Sequence, residues 1–455
     1  MLEFGTAGIR GIMGPGEDII NIDVVRKVTQ ALANFLNKKV SNPSVVISYD
    51  SRNNSYDFAK DAAGVLAGNG INTTLWPEMM PVPVLSYSVR YLKCSAGIMI
   101  TASHNPKEYN GYKVYGPNGG QILEEDAKAI QNEIESVKEI KFSNAYELAS
   151  SDIYDSYRKE MESASNFNLG TSDDVILSEA KNLKIVYTPL NGSGRKPVTD
   201  MLNENGYSYE MVKEQEMPDG NFTTCPSPNP EKDEVYEIAL KYANKTDADI
   251  IVATDPDCDR VGCMVKQGSE YKVLSGNEIG TLMTYYLCEK SNGGTIVCSL
   301  VSTPIIERIA ESFGCVVERT PVGFKYIGDK MDVLGDKFIF GFEESNGFLT
   351  GDYARDKDGV VGAKIILGMA SHYKTIGKTL IDVLNDIYDK YGLVINKTIS
   401  KDLKPGDLKP EMSVKNYDDG ARIIIRPSGT EPKVKYYLSA SSKERIEELK
   451  TIAGI

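Results

Sequence analysis

The chain is poor in the residues that usually announce a site. It has two histidines in 455 residues, His104 and His372. Its seven cysteines form no Cys-x-x-Cys pair and no zinc spacing, and their number is odd. That excludes a disulfide framework and a thiolate metal centre. Scattered in apolar runs such as Ile296-Val297-Cys298, the cysteines read as small core residues of a reducing compartment. Basic excess is absent: the net charge is −13 and the pI about 5.0. This argues against nucleic acid as a partner. An anionic small substrate stays open, because local Arg and Lys outweigh a distant acidic surface within a screening length. No run approaches the ~18 apolar residues of a membrane helix. The opening MLEFGTAGIRG lacks a basic stretch followed by an apolar one, so no membrane partner and a cytoplasmic location are expected.

What is present is ordinary folded chain, 41% hydrophobic and 25% charged. At roughly 100–200 residues per domain, about three or four domains are expected. One layout occurs three times. A short apolar run, a helix-like stretch, a glycine and a second apolar run span Val45 to Trp76, Lys184 to Val212, and Thr295 to Glu318. The glycines, Gly70, Gly206 and Gly314, stand where a helix needs a left-handed stop. Each copy reads as a βαβ unit, and together they imply three α/β domains related by duplication. Residues 379–455 differ: short strands, the Asp418-Asp419-Gly420 turn and a charged helix over Lys443–Ala453 predict a small α+β domain. Linkers are expected near 145–165 and 375–380. Residues 5–16, GTAGIRGIMGPG, fit no P-loop pattern. They read on spacing alone as a turn-rich lead-in to a helix over Asp23–Asn37.

Five stretches carry chemistry. Thr101-Ala102-Ser103-His104-Asn105-Pro106 follows the apolar run Ala96–Ile100 and puts a hydroxyl beside a histidine. Pro106 keeps Asn105 out of the helical region, so the pair sits on an extended loop. No oxyanion or acid-partner pattern accompanies it, which argues against a serine hydrolase. Asp255-Pro256-Asp257-Cys258-Asp259-Arg260 follows Ile250–Ala253. Three alternating carboxylates repel one another without a cation and suit magnesium or calcium, the alternative being a solvated acidic turn. An EF-hand is excluded, because its sixth and twelfth positions here are Arg260 and Lys266. Arg260 could hold a phosphate beside the metal. Gly341-Phe342-Glu343-Glu344-Ser345-Asn346-Gly347 suits hydrogen bonds to vicinal sugar hydroxyls, or is a polar loop. Thr320-Pro321-Val322-Gly323-Phe324-Lys325 is a flexible loop with a cation. Arg426-Pro427-Ser428-Gly429-Thr430-Glu431-Pro432-Lys433 gathers a guanidinium and two hydroxyls, which suit a phosphate cradle to which Lys435 could add charge, or form a chance Gly-Ser turn. Lys113 lies where a hairpin return could bring its amine near Ser103, as a proton carrier or as an ordinary surface lysine.

Together, and in this order, these stretches resemble the α-D-phosphohexomutase superfamily, which includes phosphoglucomutases and phosphomannomutases. TASHNP is similar to the phosphoserine loop, DPDCDR to the magnesium loop, GFEESNG to the sugar loop and RPSGTEPK to the phosphate loop. The opening FGTAGIRGIMGPG and the run GFEESNGFLTGDYARDKDGV resemble the phosphoglucomutase and phosphopentomutase-like branch. Asn191-Gly192-Ser193-Gly194 stands where many members have a His-Gly start.

The resemblance implies three related mixed-sheet α/β domains and a C-terminal α+β domain around a central cleft. The boundaries expected are 1–147, 148–268, 269–377 and 378–455. It implies that Ser103 carries a phosphoryl group, and that one Mg2+ is held by Asp255, Asp257, Asp259 and a phosphoserine oxygen. Lys113 is the implied general acid/base, with His104 and Arg10 supporting the transfer. Arg260, Thr320, Gly323, Lys325, Glu343 and Ser345 are implied to bind substrate. Arg426, Ser428, Gly429, Thr430 and Lys435 would hold the non-reacting phosphate. The reaction implied interconverts glucose 1-phosphate and glucose 6-phosphate through glucose 1,6-bisphosphate, in a monomer or dimer. Phosphomannomutase or phosphopentomutase activity is the alternative within the class. A catalytically silent sugar-phosphate-binding protein is the alternative outside it, and a metal-dependent phosphatase is a third.

Overall fold

The computed structural model describes residues 4–5, 8–165, 183–404, 407–427 and 433–455. Four sheets organise them. The first has six strands in the spatial order Gly8–Ile12, Tyr109–Tyr115, Ala96–Ile100, Ser44–Tyr49, Asn72–Leu75 and Glu147–Leu148. The second runs Glu270–Leu274, Val261–Gln267, Ile250–Thr254, Ile185–Thr188 and Tyr209–Met211. The third runs Cys315–Thr320, Gly294–Ser299, Phe338–Glu343 and Gly347–Thr350. The fourth is wholly antiparallel: Ile395–Asp402, Lys433–Ala440, Arg422–Pro427 and Ser413–Asn416.

The repeated layout is a repeated structure. The helices Ser55–Gly68, Arg195–Glu204 and Ile305–Ser312 each join two parallel neighbours. Gly70, Gly206 and Gly314 stop them at φ of 73°, 69° and 71°, a conformation that costs a side-chain-bearing residue about 1 kcal/mol or more. Strands such as Val45-Val46-Ile47 read as unbroken β-branched runs because both faces of the sheet are covered.

Each of the first three sheets is parallel in part and then turns back on itself. The turning points are the loops after Ala96–Ile100, Ile250–Thr254 and Phe338–Glu343, each followed by an antiparallel strand. Those loops are TASHNP, DPDCDR and the Glu344–Asn346 turn. Each bears one non-glycine residue in the left-handed region: Ser103 at φ 52°, Cys258 at 49° and Asn346 at 65°. The three chemistry-bearing loops are therefore equivalent positions of one repeated fold.

Two local expectations are corrected. Residues 8–12 form an edge strand against Tyr109–Tyr115 rather than a turn-rich lead-in. Its partner lies about a hundred residues away, which local spacing does not reveal. Gly8 is needed there, since a Cβ would stand 2.0 Å from the Tyr112 carbonyl oxygen. The linker expected near 145–165 contains a helix, Ser151–Ser165, whose Ile153, Tyr154, Tyr157 and Met161 enter the largest core cluster. Its charged residues lie between those positions and mask the apolar stripe. Among the described residues, no helix is long and apolar enough to cross a membrane.

Candidate active site

Ser103 and the aspartates meet between the first and second sheets. Ser103 is 3% exposed; its Oγ lies 2.7 Å from Asp255 Oδ2 and 3.1 Å from His104 Nδ1. Its backbone N–H donates to Thr101 Oγ1 at 2.8 Å. Asp255, Asp257 and Asp259 are all buried, with one oxygen of each within 4.8 Å of the others. Asp257 Oδ1 and Asp259 Oδ1 are buried and have no hydrogen-bond partner. Orphaned carboxylate oxygens are costly away from water. Hard oxygens in this number and spacing fit a divalent cation such as magnesium.

The charges around the triad are unequal. Burial, then the neighbouring Asp257 and Asp259, push the Asp255 carboxyl well above the usual range. Burial would raise Asp259 too, but Lys357, Lys113 and Arg260 together hold it far below. Lys113 Nζ lies 2.8 Å from Asp257 Oδ2 and 3.3 Å from Asp259 Oδ2. Burial favours its neutral amine, yet these two carboxylates raise its pKa, so it is an ammonium. The Lys113 register opposite Gly8 and Met99 comes from the first sheet. His104 is held neutral by burial and by the positive Arg260 and Arg10. Arg10 Nη1 donates to Asn105 Oδ1 at 3.1 Å, beside the serine loop.

The other expected residues lie around the same space with varied partners. Arg260 pairs with Glu231 at 2.5 Å and lies 3.8 Å from Asp259. Gly323, at φ 129°, precedes the helix Phe324–Leu334 and donates its N–H to Glu343 Oε1 at 3.0 Å. This ties the Thr320–Lys325 loop to the Glu343 loop. Thr320 is buried and donates to the Pro321 carbonyl at 3.1 Å. Lys325 is buried, with Nζ 2.8 Å from Glu124 Oε1. Burial raises the Glu343 carboxyl. Burial and the charge of Glu343 push Glu344 up to about 7, and Ser299 Oγ donates to Glu344 at 3.0 Å. Ser345 is partly buried. Arg426 and Lys435 stand directly opposite each other on antiparallel strands. Two like charges so placed are unfavourable unless an anion joins them. Ser428, Gly429 and Thr430 lie outside the described residues.

Sequence reasoning missed four contributors. Lys357 Nζ lies 3.1 Å from Asp259 Oδ2, and the acidic neighbours Asp259, Asp356 and Glu343 keep it charged despite burial. It arrives from the third sheet's domain, so only its place in the ARDKDG run could have flagged it. Ser193 holds the Pro256 carbonyl through both its N–H and its hydroxyl at 2.8 Å, and a Cβ on Gly192 would stand 2.5 Å from Pro256 Cα. The Asn-Gly-Ser-Gly turn therefore shapes the aspartate loop. Asp50 and Arg52, buried in the run Tyr49-Asp50-Ser51-Arg52, complete the set.

Known proteins share the domain order of this chain. Models of the phosphoglucomutase/phosphomannomutase family match in four consecutive parts: α/β/α domain I over residues 1–141, α/β/α domain II over 157–268, α/β/α domain III over 275–391, and the C-terminal domain over 377–452. A probable phosphomannomutase of Haemophilus influenzae is 34% identical over 470 residues, 93% of this chain and 94% of that protein. A phosphoglucomutase of Staphylococcus haemolyticus is 34% identical over 505 residues, 96% of this chain and 90% of that one. The crystal structure of a putative phosphomannomutase from Thermus thermophilus superposes with a TM-score of 0.82 at 25% identity, covering 99% and 98% of the two chains.

Proposed function

The chain belongs to the phosphoglucomutase/phosphomannomutase family of intramolecular phosphotransferases, and on that premise we propose that it interconverts glucose 1-phosphate and glucose 6-phosphate through a phosphorylated Ser103. The observation that carries the reading is Ser103 Oγ seated 2.7 Å from a buried aspartate triad, two of whose oxygens accept no hydrogen bond. A binding protein has no need of a buried hydroxyl beside a cation site, and a mutase does. We assign the boundaries 1–147, 148–268, 269–377 and 378–455 to its four domains.

Asp255, Asp257, Asp259 and an oxygen of phosphorylated Ser103 would hold one Mg2+. Bound there, the ion neutralises phosphoryl charge, which is most of what phosphoryl transfer requires. The sugar hydroxyl oxygen forms a bond to phosphorus as the bond from phosphorus to Ser103 Oγ breaks. The hydroxyl proton ends on Ser103 Oγ. Lys113, held as an ammonium, gives a proton to the departing Oγ and takes one from the sugar hydroxyl. Neutral His104 stands with Nδ1 3.1 Å from the Ser103 hydroxyl, whose own proton goes to Asp255, and Arg10 orients Asn105 of the same loop. Glucose 1,6-bisphosphate, formed in this step, turns over in the cleft and returns its other phosphoryl group to Ser103.

Glu343 and Ser345 would read the sugar hydroxyls, with Thr320, Gly323, Lys325 and Arg260 lining the same space. Arg426 and Lys435 would grip the idle phosphate with Ser428, Gly429 and Thr430. The Glu343-Glu344-Ser345 form of the sugar loop supports glucose. Equal identity to a phosphomannomutase supports mannose 1-phosphate as the competing substrate. The test compares kcat/KM for glucose, mannose, glucosamine and ribose 1-phosphates with Mg2+ and glucose 1,6-bisphosphate. Glucose 1-phosphate is expected to lead; a higher value for any other sugar overturns the assignment. Release of inorganic phosphate in place of isomerised sugar would make the protein a phosphatase.

A further inference from the structure

Resting on the reading of Ser103 as phosphoryl carrier, we propose that Arg52 is the positioning residue of the Ser103 loop, clamped in place by Phe222 from the second sheet's domain. The guanidinium of Arg52 collects the turn's carbonyl oxygens. Nη2 donates to those of Ser103 and Asn105, and Nη1 to those of Pro106 at 2.9 Å and Tyr109 at 3.1 Å. Four acceptors spread over seven residues converge on one flat, five-donor group. Only arginine has that donor geometry; lysine offers three donors from one point.

The clamp fixes a strained serine. Ser103 stands at φ 52°, in the left-handed region that is unfavourable for a side-chain-bearing residue. Its N–H is held by Thr101 Oγ1 and its C=O by Arg52. With both flanking peptides tied, Oγ has one direction, toward Asp255. Asp50 anchors the clamp from behind. It accepts from Thr101 Oγ1 at 2.6 Å, Ser55 Oγ at 2.8 Å and the Arg52 N–H at 3.0 Å, and its Oδ2 lies 3.3 Å from Arg52 Nε. The Asp50–Arg52 pair is neutral overall, so it orients the loop without adding net charge to the site.

The second domain supplies the other jaw. The Arg52 guanidinium carbon lies 4.9 Å from the centroid of the Phe222 ring. Phe222 is fully buried and itself stands at φ 46°, a genuine outlier for a bulky residue. Asp219 holds that turn by accepting the N–H groups of Asn221 and Thr223 at 2.9 Å. Gly220 lies against Asn53 so closely that a Cβ would stand 2.5 Å from the Asn53 nitrogen. Two strained residues, one from each domain, thus meet at one arginine. The consequence is mechanical: the nucleophile loop keeps its aim only while the domain bearing the aspartates is seated on it.

The test uses full-length enzyme with Mg2+, and the variants Arg52→Lys and Phe222→Leu. Phosphorylation of Ser103 by glucose 1,6-bisphosphate is followed in a single turnover by intact mass. In that step a phosphorus–oxygen bond to the sugar breaks as one to Oγ forms, and the serine proton ends on the released sugar oxygen. Arg52→Lys keeps the charge and is expected to slow phosphorylation and kcat by about 100-fold, the scale of a 1 Å misplacement. KM is expected to change by less than about two-fold, since the substrate contacts stand elsewhere. Phe222→Leu is expected to slow both rates by about ten-fold through loss of the stacked face. A purely structural role would lower Tm and leave the folded enzyme's phosphorylation rate unchanged. That result in Arg52→Lys, or in Phe222→Leu if the first variant does not fold, overturns the proposal. Wild-type enzyme that never gains a phosphoryl group at Ser103 overturns the phosphoserine reading, and this inference with it.

Discussion

Ser103 Oγ donates to Asp255 Oδ2 at 2.7 Å, although 152 positions separate the two residues and they belong to different sheets. The contact joins equivalent turns of two copies of one fold. It places a hydroxyl against a carboxyl that burial and two neighbouring aspartates keep from ionising at its usual pH.

Ser103→Ala is expected to lose turnover by on the order of 10^4-fold or more, as loss of a nucleophile does. The aspartates do not depend on Oγ for their burial, so Tm and the circular dichroism spectrum are expected to match wild type. Phosphopeptide mapping of the wild type is expected to locate phosphate on Ser103. Full activity in the variant would rule out the carrier role.

Chelation is expected to stop catalysis and Mg2+ to restore it. Because the ion would bind only the folded triad, Mg2+ at a hundred times its Kd adds about 2.7 kcal/mol to stability. Thermal melts with and without Mg2+ read this directly. In Asp257→Asn, which removes one charge from the triad, the Mg2+-induced rise in Tm is expected to shrink sharply. An unchanged rise would place the ion elsewhere.

Glu344 predicts a pH dependence of stability. Burial and the Glu343 charge push its pKa up to about 7. A carboxyl raised by folding adds stability below its unfolded value and loses it as pH climbs through the folded value. The loss therefore runs from the ordinary carboxylate range to about 7. Glu344→Gln cannot ionise, so the wild-type Tm is expected to fall relative to the variant between acid and neutral pH. Parallel Tm curves for the two proteins would refute this origin.

Lys325 and Glu124 predict a competition. The ammonium is buried and paired with a carboxylate of the first domain that is itself 55% exposed. A substrate oxyanion reaching Lys325 competes with that carboxylate for the charge of the ammonium. Glu124→Gln is expected to lower KM by about two- to five-fold, the value of an ion pair with one exposed partner, at constant kcat. A raised KM would show that Glu124 positions Lys325 for the substrate.

The three α/β repeats were legible because alternation, helix-stop glycines and β-branched runs are local in sequence. The aspartate loop was legible for a related reason: three carboxylates two residues apart repel wherever they are placed, so the chain itself calls for a cation. Neither the edge strand at Gly8–Ile12 nor the helix at Ser151–Ser165 was read, since the first is fixed by a distant partner and the second by a core it shares with other domains.

By itself, then, the sequence determined which groups could take part: a hydroxyl at Ser103, a carboxylate triad, and cations at Lys113, Arg260 and Arg426. Tertiary structure decided their states and their company. Lys113 is an ammonium because two aspartates of another domain face it, and Lys357 enters the site from a third. Ser103 points at Asp255 because Arg52 and Thr101 hold the peptides on either side of it. Burial and Coulomb interactions act across space, so a residue's ionisation and aim belong to the neighbours that folding brings, and the linear order of residues does not contain them.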